Sequence, residues 1–159
     1  MMRIPGFEGR NRRLTADARS ERVVAVIHCM LNQNARDPGA ARHRGVTGAV
    51  ASLLIRGGAG VVQMPCPEML CLGLPRTRPR GVGIRDLLDT PRGRSCCRSL
   101  AGTVADQLEE HARNRHTLLA VVGGDGESPG CAVHVAKTGP AAGRLEGASG
   151  VFMKTLEAE

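Results

Sequence analysis

The chain has 159 residues, enough for one domain with a hydrophobic core of its own and no need of cross-links. With no Trp, no Tyr and only Phe7 and Phe152, it lacks the aromatic platforms that readers of single-stranded nucleic acid stack bases on. The net charge of +7 is almost all arginine, and much of it lies between Met1 and Arg22. That distribution points to coding bias and a basic tail rather than to a built polyanion site.

Met1 to Glu21 carries Arg3, Arg10, Arg12, Arg13 and Arg19 with little apolar periodicity, so it is expected to be a flexible tail ahead of a single domain from 22 to 159. It lacks the apolar stretch of a secretory signal, and no segment of the chain is apolar enough to span a membrane. A cytoplasmic protein follows as the expectation, with its six cysteines held as thiols.

The first apolar β-branched run, Val23 to Ile27, reads as a strand, and Cys29 to Asn34 as a polar loop after it. Asp37-Pro38-Gly39 is a turn signature. From Val46 to Ile55 the residues Val46, Val50, Leu53 and Leu54 recur at helical spacing, and Gly57-Gly58 supplies a stop. Gly60 to Met64 is the second strand. Pro65 and Pro67 bracket Cys66, which predicts a stiff, extended loop that does not continue into a helix. Arg76 to Arg94, rich in Arg, Pro and Gly, reads as a surface excursion with one helical turn at Ile84 to Leu88.

Ser99 to Arg115 is the strongest helical pattern, with Leu100, Val104 and Leu108 on one face. Thr117 to Val122 is the third strand, ending in the loop Gly123 to Cys131. Beyond it the signals weaken. Ala132 to Ala136 fits a short strand or helix, Gly139-Pro140 a turn, Gly143 to Gly147 a loop and Val151 to Leu156 a closing helix. Strands alternating with helices predict a single Rossmann-like α/β domain with a small open, mainly parallel sheet flanked by helices.

Each of the three strands hands over to a loop carrying a cysteine: Cys29, Cys66 and Cys131. In a parallel sheet the strand carboxyl ends share one edge, where ligands gather. The wide separation rules out a zinc ribbon, whose ligands come in close pairs, and there is no thioredoxin-type motif. Soft thiolates of this kind favour an iron–sulfur cluster, with zinc as second choice. Three cysteines on a cluster of four irons leave one iron free of protein ligands, as an open metal site requires. Buried cysteine is also an ordinary small hydrophobe, so the spacing alone admits a plain packing role.

The motifs His28-Cys29-Met-Leu-Asn, Pro65-Cys66-Pro-Glu68 with Gly73-Leu74-Pro75-Arg76, and Ser128-Pro129-Gly130-Cys131 resemble those of the 2-thiouracil desulfurase (TudS-like) family, in particular its TudS-related desulfidase branch. The likeness runs from about Val23 to Val135, and Gly150-Val151-Phe152 also fits. The resemblance implies a 4Fe-4S cluster held by Cys29, Cys66 and Cys131. It also implies a thiolated substrate whose sulfur binds the free iron, and a role for Ser128 at the reacting centre. One departure stands out: the family pattern Ser-Pro-Ser-Cys-Gly is here Ser128-Pro129-Gly130-Cys131-Ala132, which bears on substrate choice more than on cluster binding.

On this reading the enzyme is a desulfidase: a thiophilic iron polarises a C=S bond, and water attacks the carbon. Glu68 is the first candidate for general acid/base, with Asp125 or Glu127 second. Ser128 is expected to orient or donate rather than attack, since no base is identifiable beside it. His28, Asn32 and Arg76 are candidates for substrate binding. Asn34 and Arg78 share those loops. Cys71 lies close enough in sequence to serve as a fourth ligand and close the site, while Cys96 and Cys97 read as structural. The substrate class stays open among a thiouracil, a thioamide, and a thiolated nucleoside or tRNA. The alternative from another class is a non-catalytic iron–sulfur or zinc protein acting as a sulfide or electron carrier or a regulatory module.

Overall fold

A computed structural model describes residues 17–133 and 149–159. The tail before residue 17, most of Ala132 to Ala136, the Gly139-Pro140 turn and the Gly143 to Gly147 loop lie outside the described residues. Three strands, β1 (Arg22–Ile27), β2 (Gly60–Met64) and β3 (Thr117–Val122), form an all-parallel sheet in the order β2-β1-β3. The α/β class with a small open parallel sheet is therefore as expected. β1 is central, and its residues Val23 to Ile27 are all buried. A strand hemmed in on both sides has to be apolar throughout, which is why this run lacks the alternation of the edge strand β2.

The helices are α1 (His28–Leu31), α2 (Gly48–Gly57), α3 (Pro67–Leu72), α4 (Ile84–Leu88), α5 (Pro91–Arg113) and α6 (Val151–Leu156), with a 3-10 turn at Gln33–Ala35. The single turn expected in the excursion is α4, and the closing helix is α6. The long helix starts eight residues before Ser99, because Pro91 stands at its first position and Thr90 caps it by accepting from the Gly93 amide at 3.1 Å. Its inner face buries Cys97, Ala101 and Val104 against Ala25, Ile27, Val62 and Met64 of the sheet and against Phe152 and Met153 of α6. Each Val, Ile, Met and Phe side chain among them contributes about 1.5–3 kcal/mol when fully withdrawn from water. α2 forms where the periodicity predicts and stops at Gly58 in the left-handed region (φ 59°), yet it buries no residue, and Leu53 and Ile55 face solvent.

One expectation fails at the cysteines. Cys71 and Cys96 form a disulfide, with Cα atoms 5.9 Å apart, so the six are not all thiols; Cys29, Cys66, Cys97 and Cys131 are free and buried. The bond ties α3 to α5 across 25 residues and takes Cys71 out of consideration as a fourth ligand. Removing it with Cys71→Ala/Cys96→Ala is expected to lower stability by about 3 kcal/mol, the loop-closure cost for a ring of this size. In urea melts the double variant should match the reduced wild type; a midpoint equal to that of the oxidised wild type would show that the bond carries no stability. No helix among the described residues is long and apolar enough to cross a membrane.

Candidate functional site

The carboxyl ends of the strands set the site. Ile27 pairs with Met64 and Val26 with Val122, so the three strands end level on one edge. Cys29 and Cys66 each lie two residues past a paired strand end. Cys131 returns to the same edge because its loop bridges back, Gly124 pairing with Ala132 and donating its amide to the Cys131 carbonyl at 2.9 Å. All three thiols line one cavity of about 1030 Å³.

Local structure departs from the extended loops expected. Cys29 lies in the first turn of α1 rather than in a loop. Cys66 is the N-cap of α3, and its sulfur accepts from the Met69 amide at 3.5 Å. The second proline does not block a helix here but starts one, since Pro67 sits at the first helical position, where no amide is needed.

The Cys131 loop is pinned from below. The first amides of α6 turn onto it: Gly150 donates to Ala132 O at 3.0 Å, Val151 to Pro129 O at 3.0 Å and Phe152 to Gly130 O at 3.1 Å. Such closeness needs glycines, because a Cβ on Gly150 would overlap the Gly130 carbonyl, and one on Gly124 would stand 2.6 Å from the Cys131 sulfur. Gly130 faces Pro67, and an added Cβ would come to 2.8 Å from its ring. The Cys131 loop is thus packed tightly against α3 at this glycine.

A continuous chain of polar contacts crosses the cavity wall. The Cys131 amide donates to Ser128 Oγ (3.2 Å), which donates to Glu68 Oε1 (3.2 Å) and lies 3.1 Å from the Cys131 sulfur. The other Glu68 oxygen accepts from Arg76 Nε at 3.1 Å. Glu68 and Ser128, expected to act at one centre, are in direct contact although 60 residues apart. Asp125 and Glu127 line the same cavity, but Asp125 is held by Arg36 at 2.6 Å, which keeps its carboxyl below the usual range. His28 pairs through Nδ1 with Gln63, and Asn32 lies 3.5 Å from His28 Nε2. Neither is among the described residues lining the cavity. Arg76 does line it, although its guanidinium is taken up by protein partners. Arg78, on the flank of that loop, is paired with Asp37 at 3.7 Å.

Two residues escaped the sequence reading. Arg36 reaches Asp125 across 89 residues. Gln33, buried, donates to Cys29 O at 2.8 Å and to Thr47 Oγ1 at 3.2 Å, bracing the Cys29 turn. Nothing local marks either one, for Asp125 and Thr47 are brought close to them only by folding.

The thiols differ in acidity. The hydrogen bond from Cys131, helped by the Arg36 charge, lowers Cys29 to about 7. The same contact and burial push Cys131 up, burial pushes Cys66 up, and it pushes Cys97 to about 11. A lowered thiol is a thiolate from near neutrality upward. In metal-free protein, alkylation of Cys29 by iodoacetamide is expected to rise through about pH 7, as peptide mass spectrometry would follow. A midpoint near 9 would show that the Cys29–Cys131 contact does not form.

Among the described residues no group of His, Cys, Asp and Glu side chains is arranged to hold a single metal ion. Three thiols spread around a cavity suit, in type and number, a cluster that offers separate irons to separate thiolates. In comparisons with known proteins, the chain is 27% identical over 103 residues to an uncharacterized protein of Methanocaldococcus jannaschii, a match covering 65% of this chain and 64% of that one. No family model and no solved structure matches.

Proposed function

We propose that this protein is a desulfidase that releases sulfide from a small thiolated compound, using a 4Fe-4S cluster held by Cys29, Cys66 and Cys131. One observation carries the reading: three free thiols from three separate strand ends line a single cavity, with the Ser128–Glu68 pair on its wall. When bound, such a cluster supplies a thiophilic Lewis acid for the substrate sulfur. The net change is hydrolytic: water and C=S give C=O and hydrogen sulfide, with no electron transferred.

The protein's own residues would manage the protons. Glu68, largely withdrawn from solvent, takes a proton from the attacking water and returns it toward the departing sulfur. Ser128, bonded at once to Glu68 and the Cys131 amide, is fixed where its hydroxyl can orient the substrate. The exposed Gly126–Glu127 end of the same loop lies on the side open to solvent.

The test is anaerobic purification and reconstitution, with iron and acid-labile sulfide measured per chain, followed by sulfide release from 2-thiouracil and a panel of thioamides and thionucleosides. Cluster incorporation with turnover of one panel member is the expected result. Protein that takes up no iron would overturn the reading, and a stable cluster with no turnover across the panel would return it to a carrier of sulfide or electrons.

A further inference from the structure

Among the described residues Arg76 is the only charged side chain that is fully buried, 2% exposed. The chain reaches this position through a tight turn: the Arg76 amide donates to Gly73 O at 3.1 Å, Gly73 has φ 82°, and Arg76 itself sits at φ 47°, where side chains are disfavoured. From there the guanidinium bridges separate segments. Nη2 donates to Ala35 O at 2.6 Å, in the turn after Cys29, and lies 3.6 Å from the Cys66 sulfur. Nε holds Glu68 at 3.1 Å, and Nη1 donates to Leu74 O at 2.8 Å. A buried ion pair contributes little net stability compared with an apolar pair of the same volume. A strained backbone and a buried charge at the junction of two cysteine loops therefore call for a reason other than stability.

We propose that Arg76 is the positioning residue of this site: it aims the Glu68 carboxylate at Ser128 and sets a fixed positive charge against the Cys66 sulfur, locking the Cys29 and Cys66 loops in register. The catalytic part rests on the desulfidase reading; the positioning of Cys66 does not. A planar fork serves all four partners at once, which a lysine ammonium does not. Arg76 thus acts as part of the cavity wall, its guanidinium committed to protein partners, and does not serve as a substrate clamp.

The experiment compares wild type with Arg76→Met, Arg76→Lys, Glu68→Gln and the double variant Arg76→Met/Glu68→Gln. In cluster-free protein, alkylation of Cys66 relative to Cys97 should fall about tenfold in Arg76→Met, the factor for losing one charge-assisted hydrogen bond to the reacting thiolate. In reconstituted protein, a chelator should strip iron faster from that variant, and kcat should fall with little change in KM. The double variant should be no slower than Glu68→Gln alone, because the two residues act as one unit. Arg76→Lys should restore little of either readout, and it carries the test should the Met variant fail to fold. Unchanged Cys66 alkylation in both Arg76 variants would overturn the positioning role. Multiplicative losses in the double variant would overturn action through Glu68. Wild type that takes up no cluster would sink the desulfidase reading yet leave the alkylation result to decide on Arg76.

Discussion

Replacing any one of Cys29, Cys66 and Cys131 by alanine is expected to reduce iron and acid-labile sulfide to background after anaerobic reconstitution. The same change at Cys97, or at Cys71 and Cys96 together, should leave the content near that of wild type. Only the first three line the cavity. Cys97 points into the core with α5, burial pushes its thiol up to about 11, and Cys71 and Cys96 satisfy each other. A cluster held by three thiolates has none in reserve, so one loss is not made good by a neighbour. The alanine variants should still fold, because each removes a single small side chain, at a cost of about 1 kcal/mol. A Cys131→Ala protein with wild-type iron would remove that residue from the ligand set. Loss of iron in the Cys71→Ala/Cys96→Ala protein would show that the disulfide opens in solution and lends a thiol to the site.

The second large effect concerns the Ser128–Glu68 pair. Glu68→Gln should lower kcat by about 10²–10⁴-fold, the range for losing a positioned general acid/base, while iron content holds. Ser128→Ala should fall less, since the hydroxyl orients rather than exchanges a proton. It should also free one Glu68 oxygen, which now accepts from it at 3.2 Å. Glutamine keeps the shape of the carboxylate but must turn an amide toward either Ser128 or Arg76, both of which donate to the native residue. Steady-state rates with the best substrate of the panel, normalised to cluster content, separate the chemistry from cofactor loss. Glu68→Gln at wild-type rate would exclude it as the proton carrier and leave Asp125 and Glu127, on the same wall, as the remaining carboxylates to test.

Residue pattern made the architecture readable where burial is one-sided or complete. Val23 to Ile27 has to be a central strand, because five consecutive apolar residues cannot be solvated on either face. Strong punctuation worked likewise: Gly58 stops α2 and Gly150 precedes α6. Where two local rules compete, sequence alone decided wrongly. The proline after Cys66 both forbids a helix interior and favours a helix start, and only its place after the strand end settles that α3 begins there. The apolar stripe of α2 likewise predicts a helix correctly but says nothing of whether a surface waits to receive it, and Leu53 meets solvent.

By itself, then, the sequence determined that three strands would each be followed by a segment carrying a cysteine, because hydrophobic runs and turn residues act over a few neighbours. It could not tell a thiol from half of a disulfide at Cys71, since that depends on where α3 meets α5. Nor could it join Glu68 to Ser128, Arg36 to Asp125 or Arg76 to Ala35 and Cys66. Those contacts span 10 to 89 residues, and their energies depend on distances of a few ångströms that exist only once the sheet has brought its strand ends to one edge.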